Sequence, residues 1–373
     1  MMGNADGKTR TIFCAGNLPP EISGHRIICD DKCVYSFGGY SPKGNDDPIV
    51  KELWRFHCLR KEWTKVPVAG SIPKEVASSG VVLFDNHMFL YGGTGLPFGH
   101  RLNGDVYYCS LAKRNEKGAV VWRKLPVEGK APNPRYGQAV AVNKHCLYVV
   151  GGTDGSNYSI EVHRLHLRKF RWEKLAEDSL DPLDDVPEIR YRAEIIIHDD
   201  EILVFGGGTP DLVYGLSMLP VFNLTTRKWT RKGTLPDPVN GYPGARRCHS
   251  VVQSTCGTWV VIAGGIGDHR CCDDIWKLNL VEMRWMRLDR SLPEGVFFHS
   301  SAISTGNRMY TFGGVLASNE RTNKLSVLDV TVPSLQDMCV QILLDAKPSL
   351  FGTEFDDLTR LGVPRKYARR ITP

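Results

Sequence analysis

Six times along this chain of 373 residues an apolar or aromatic run ends in two adjacent glycines, and that recurrence limits the fold more than any other feature. The pairs are Gly38-Gly39, Gly92-Gly93, Gly151-Gly152, Gly206-Gly207, Gly264-Gly265 and Gly313-Gly314, each closing a stretch such as Leu147-Tyr148-Val149-Val150, with Ser36 and Thr311 the polar interruptions. From Gly38 to Gly313 the five steps average 55 residues. A tryptophan follows each of the first five pairs by 20 to 29 residues, at Trp63, Trp122, Trp172, Trp229 and Trp285. Glycine is required where the backbone takes positive φ or where another backbone approaches closely, so a repeated pair at a strand end marks one structural position used six times. Each period holds four short strands; in the fifth they read His249 to Thr255, Trp259 to Ala263, Ile275 to Leu280 and Trp285 to Leu288, separated by turn-forming residues.

A period near 50 with four strands per unit is similar to that of kelch repeats, and repetition around an axis gives a propeller. The expected fold is all-β: a six-bladed kelch β-propeller with the tryptophans wedged between blades. The sixth repeat has no outer strand with a tryptophan. Thr11-Ile12-Phe13-Cys14-Ala15 holds the place of one ahead of the first repeat, so this N-terminal strand is expected to complete the last blade and close the ring, leaving no open sheet edge. Residues 1–7 are read as a flexible N-terminus, 8–332 as the propeller and 333–373 as a small helical unit.

That unit departs from the repeat. Pro333 and Ser334 can open a helix, Leu335, Cys339 and Leu343 fall on one helical face, and Lys347-Pro348 ends it. A second helix is expected from about Glu354 to Leu361 with Gly362 as its stop, and a third after Pro364. Ser334 through Leu343 resembles the BC box by which substrate receptors dock Elongin B and Elongin C, and Val363-Pro364-Arg365-Lys366-Tyr367-Ala368-Arg369-Arg370-Ile371 resembles the cullin-2 box. With strings such as Glu52-Leu53-Trp54-Arg55, Asn103-Gly104-Asp105-Val106 and Ala245-Arg246-Arg247-Cys248-His249-Ser250, the chain resembles the kelch-repeat substrate receptors of cullin-2 Elongin B/C ubiquitin ligases. The resemblance implies Leu335, Cys339 and Leu343 as Elongin contacts and Val363, Pro364, Tyr367 and Ile371 as cullin-2 contacts. The implied partners are Elongin C and Elongin B, cullin-2 with its RING subunit, and substrate proteins held by a C-terminal peptide ending in glycine. No BTB domain precedes the repeats within this sequence, unlike the BTB-kelch receptors.

The loops leading into the innermost strands collect Arg135-Tyr136, Arg190-Tyr191-Arg192, Arg246-Arg247 with His249-Ser250, and Phe298-His299-Ser300. Forked guanidinium donors suit a terminal carboxylate. Arg246, Arg247 and Arg192 are the expected clamps, with Arg190, Tyr136, Tyr191, Ser250, His249 and His299 in support. The competing reading is that such arginines and histidines satisfy carbonyls between blades.

Other classes fare less well. Lys and Arg number 47 against 41 Asp and Glu, a formal net charge of +6 without a basic stripe before the tail, so no nucleic-acid partner is expected. No run approaches 18 apolar residues and Met1 to Lys8 carry no apolar segment, so neither membrane association nor a secretory signal is expected, and the protein is expected to be cytoplasmic or nuclear. Eleven cysteines lie in no paired Cys-x-x-Cys arrangement; no metal, cofactor or catalytic residue is assigned. Two alternatives stay open: a kelch scaffold or cytoskeletal protein, and a propeller oxidase whose metal would need His249, His299, Tyr136 and Tyr191.

Overall fold

The computed structural model describes residues 9–372 apart from 13, 44–46, 180–184, 268–269 and 334. The expected N-terminal segment 1–7, Phe13 and Ser334 therefore lie outside the described residues. Six sheets, each with four antiparallel strands and the first three with a short fifth strand added in parallel at the outer edge, surround an axis, with innermost strands Arg26–Cys29, Gly80–Phe84, Ala139–Asn143, Glu194–His198, Ser250–Gln253 and Ser300–Ile303 in blades one to six. In the fifth blade the strands are Ser250–Gln253, Trp259–Ala263, Asp274–Asn279 and Arg284–Ser291, close to the sequence reading.

The N-terminus closes the ring. Arg10–Thr11 forms the outermost strand of the sixth blade, antiparallel to Leu325–Asp329 with Arg10 opposite Val327. The N–H of Ile12 donates to the Leu325 carbonyl at 2.8 Å, and that of Thr9 to Ser291 at 2.8 Å. Ala15–Gly16 then pairs in parallel with Glu62–Trp63 of the first blade. The expected strand thus divides between two blades and staples them together.

Each tryptophan fills a wedge against the blade before it. Trp63 meets Phe312 at 4.9 Å between ring centroids, Trp122 meets Phe37 at 4.6 Å and Trp172 meets Tyr91 at 5.3 Å. These aromatic partners immediately precede a double glycine, so one position per repeat supplies both wall and turn.

The double glycines answer a steric demand from two blades at once. A Cβ on Gly265 would sit 2.7 Å from the His249 Cβ of the same blade, and one on Gly264 would sit 2.6 Å from the His299 ring and 2.7 Å from the Val296 carbonyl of the next. Their φ angles, +62° and +97°, are also in the region that favours glycine.

The axial channel is closed at the double-glycine end. Gly24, Ser78, Gly137, Arg192, Cys248 and Phe298 occupy equivalent positions with φ between +54° and +65°. They join in a closed ring of six backbone hydrogen bonds: Ser78 to Gly24, Gly137 to Ser78, Arg192 to Gly137, Cys248 to Arg192, Phe298 to Cys248 and Gly24 to Phe298, at 2.7 to 3.2 Å. Two positions along the strands, Arg26 of blade one reaches Glu194 of the opposite blade four at 2.6 Å.

At the other end, where the hairpin turns lie, three helices form a cap: α1 (Leu335–Ala346), α2 (Phe355–Arg360) and α3 (Arg365–Ile371). A 3-10 turn at Pro348–Gly352, which Pro348 did not announce as more than a stop, links α1 to α2. Leu59 of the first blade joins Val340, Leu344, Leu358, Val363, Tyr367, Ala368 and Ile371 in one apolar cluster. Lys61 pairs with Asp345 at 2.8 Å and the Arg60 guanidinium donates to the Phe351 carbonyl at 3.0 Å.

Candidate functional site

The loop into each innermost strand places three consecutive residues in three environments. The first of each triplet turns into the blade interface, the second pairs with the residue after a double glycine, and the third joins the ring. Second positions are Ser23, Ala77, Tyr136, Tyr191, Arg247 and Phe297, bridged to Tyr40, Thr94, Thr153, Gly208, Ile266 and Val315 respectively. Together they form the floor around the channel mouth.

Above that floor lies a cavity of about 470 Å³. Tyr136, Tyr191, Phe297 and Phe298 face Tyr40 and Phe98, with Ser78 below and Arg321 at one side; no carboxylate is among the lining residues. Tyr136 meets Tyr191 edge to face at 5.7 Å, and Tyr40 meets Phe98 in the same manner at 5.3 Å. The Arg321 guanidinium lies 4.8 Å over the Tyr40 ring and donates from Nε to Ser23 at 3.2 Å. Arg192 lies beneath, its guanidinium 4.7 Å over Phe298 and hydrogen-bonded to Ser78, while its Nε has no partner among the described residues. Aromatic walls, a half-buried cation and a buried cation without a carboxylate suit an apolar ligand with an anionic end.

First positions behave differently, and this corrects part of the expected clamp. Arg246 is 1% exposed. It donates to both oxygens of Asp274 at 2.7 and 3.1 Å and to the carbonyls of Gly264 and Gly244 at 3.2 and 3.0 Å. Arg190 repeats the arrangement, donating to Gly206 and Glu188 and stacking 4.3 Å over Tyr214. Arg135 does so with Gly151 and Glu161. These arginines hold a blade's own double glycine and are sealed away from the cavity.

Ser250, His249 and His299 also lie below the ring. The Ser250 hydroxyl bonds His299 Nε2 at 2.9 Å and Ser301 at 2.6 Å. His249 packs its ring under Gly206, and burial, with Arg246, His299 and Arg26 nearby, holds its pKa well below the ordinary value. His299 is pushed down to about 4 and His25 to about 3, chiefly by burial. These are neutral packing imidazoles, and no group of three or more His, Cys, Asp or Glu among the described residues is arranged to hold a metal. Of the nine expected binding residues, Tyr136 and Tyr191 line the cavity and Arg192 lies under it. Arg247 reaches the same face and donates to the Thr209 carbonyl. Tyr40, Phe98 and Arg321 were missed because they lie on loops after double glycines whose lengths vary between repeats.

On the cap, Leu335 is 76% exposed, Ile342 58% exposed and Cys339 exposed, whereas Leu343 is half-buried. The opposite face of α1 buries Val340, Gln341 and Leu344. Val363, Tyr367 and Ile371 are buried, which corrects their assignment as cullin contacts: three short helices have little apolar surface, and these side chains form their core. The Tyr367 hydroxyl donates to Asp337 at 2.8 Å, fixing α3 to α1. Pro364, Arg365, Lys366 and Arg369 remain exposed.

Comparisons with known proteins agree with the repeat. A family model described as the KLHDC2/KLHL20/DRC7 Kelch-repeats domain matches residues 4–207 and 207–341. Kelch domain-containing protein 10 of Rattus norvegicus is 38% identical over 363 residues, covering 95% of this chain and 86% of that protein. The Homo sapiens protein of the same name is 38% identical over 370 residues, covering 96% and 81%. The Kelch domain-containing protein 10 homolog of Drosophila melanogaster is 34% identical over 385 residues, covering 96% of this chain and 63% of its own length.

Proposed function

Since the chain belongs to the family of Kelch domain-containing protein 10, we propose that it is a non-catalytic substrate-recognition subunit of a cullin-2 RING ubiquitin ligase, joined through Elongin B and Elongin C. The observation that carries this reading is the exposed apolar face of α1, where Leu335 and Cys339 stand with the half-buried Leu343 in the spacing of a BC box and Ile342 is exposed beside them, without a covering element in the described chain. Helix-in-groove docking uses such a face. Cullin-2 with its RING subunit meets the outward residues of α3, Pro364 with Arg365, Lys366 and Arg369.

The cavity at the opposite end takes the C-terminal peptide of a substrate. Its aromatic walls admit a terminal glycine, and Arg321 and Arg192 face the carboxylate. Separation of cap and cavity by the height of the propeller lets both be occupied together, as an adaptor requires. The ubiquitin chemistry belongs to the other subunits.

The test is capture of Elongin B/C and cullin-2 by the full chain, compared with a Leu335→Ala, Cys339→Ala variant. Removing a leucine that becomes buried in a partner costs about 2–3 kcal/mol, roughly 100-fold in affinity. Loss of capture in the variant supports the reading; no capture by the wild-type chain sinks it.

A further inference from the structure

A second concave surface lies on the rim of the third blade, on neither the cavity loops nor the cap. It encloses about 600 Å³ and is lined by Lys130, Arg164, Lys169, Arg171 and Lys174, with Glu173 the one carboxylate. Strand register explains the grouping: Tyr158–His166 and Arg171–Ala176 run antiparallel with His166 opposite Arg171 and Arg164 opposite Glu173. The available acids are already engaged. Glu173 accepts Arg164 at 2.6 Å and Arg227 at 2.7 Å, and Glu161 holds Lys174 at 2.6 Å. Lys130, Lys169 and Arg171 are exposed and have no ion-pair partner among the described residues. His166 adds to this, since its Nδ1 accepts the N–H groups of Arg168 and Lys169 at 3.2 Å, which leaves Nε2–H as a donor.

Two further features favour an extended peptide. The outermost strand of this blade, Glu128–Gly129, pairs among the described residues with one strand only, Arg171–Trp172, and although the Gly129 carbonyl already accepts the Ala131 N–H at 3.1 Å, its outer side is covered by no further strand and leaves room for an extended segment alongside. Phe170, in the turn between two of the cations, is 39% exposed and offers an apolar contact beside the charges. A nucleic acid would call for cations continued as a stripe, and here the next blade's Arg227 is already paired.

We propose that the rim of the third blade docks an extended segment of a partner protein carrying clustered anionic groups, carboxylate or phosphate. This site is independent of Elongin binding. The test is fluorescence anisotropy on the full chain at physiological ionic strength, with three labelled probes: a short peptide of alternating Glu and Ala, its phosphoserine counterpart, and an oligonucleotide of equal charge. The tighter of the two peptides identifies the source of the anions. Lys130→Glu with Arg171→Glu should weaken that peptide by about tenfold or more, whereas reversal of Lys113 and Arg123 on the second blade should change it less than about twofold. The neutral pair Lys130→Gln with Arg171→Gln should give an intermediate loss at an unaltered melting temperature. Equal losses in rim and control variants, absence of saturable peptide binding, or an oligonucleotide bound as tightly as the peptide would each overturn the proposal.

Discussion

Replacing Arg246 with alanine separates a ligand clamp from a structural arginine. Among the described residues the side chain is the one basic group hydrogen-bonded to the Asp274 carboxylate, through two charge-assisted bonds, and Trp276 Nε1 donates to the same group at 2.8 Å. Removing one member of a buried pair costs about 3–5 kcal/mol because the other charge stays desolvated. The buried Gly264 carbonyl loses a donor as well, adding about 1 kcal/mol, while the exposed Gly244 rehydrates. A loss near 5 kcal/mol at roughly 2 °C per kcal/mol lowers the melting temperature by about 10 °C. Linkage gives a second signature. Burial alone would raise the Asp274 carboxyl, yet the hydrogen bonds and charge of Arg246 hold it below its ordinary 3.8. A depressed carboxyl contributes stability that is complete above 3.8 and is lost as pH falls below it, so the wild type should lose stability below that value more steeply than Arg246→Ala. The assay is thermal unfolding from pH 7 to pH 3, run beside peptide binding at the cavity. Arg321→Ala, by contrast, should abolish peptide binding at a melting temperature near that of the wild type. If Arg246→Ala melts with the wild type and loses only peptide binding, the structural assignment is wrong.

Deleting residues 1–16 removes the outer strand of blade six and its staple to blade one, and calorimetry should show a sharply lower melting temperature; an unchanged one would refute closure by the N-terminus. His25 and His299 titrate at about 3 and 4 in the folded chain against 6.5 when unfolded, so the unfolded state takes up protons first. Stability should fall with decreasing pH below 6.5 by about 1.4 kcal/mol per unit for each group until the folded value is reached, and His299→Gln should flatten that slope. Leu335→Glu, at an exposed position, should leave unfolding unchanged and abolish Elongin capture. Tyr367→Ala should instead destabilise the cap, with increased hydrogen exchange across α1, because Tyr367 is 1% exposed and bonded to Asp337.

The repeat was legible because its markers report backbone geometry. Gly264 and Gly265 each meet atoms that leave no room for a Cβ, and Trp122 must meet Phe37, so neither admits much substitution. The closing strand could be read for a related reason, since the sixth repeat lacked an outer strand and the segment beginning at Thr11 stood in the place of one, although only Arg10–Thr11 enters that blade. The site was harder. Arg246 and Arg247 are adjacent and identical in type, yet one turns into the blade interface and the other to the open face, a difference set by the phase of a three-residue turn. Tyr191 and Arg192 differ in the same manner. Arg321 stands beyond a loop whose length no repeat fixes. In the tail, the resemblance marked Val363, Tyr367 and Ile371 as apolar positions, but a sequence pattern is indifferent to whether such side chains cover the chain's own helices or a partner, and here they form the core of the cap.

The proposed receptor carries its partners on opposite faces of one propeller. Hydrogen exchange of the full chain, alone, with Elongin B/C and with a glycine-ended peptide, tests it most directly. Elongin B/C should protect the amides of α1 and the peptide should protect the loops around Tyr40, Phe98, Tyr191 and Arg321, each without slowing exchange at the other end. Elongin protection over the cavity loops, or none at α1, would contradict it.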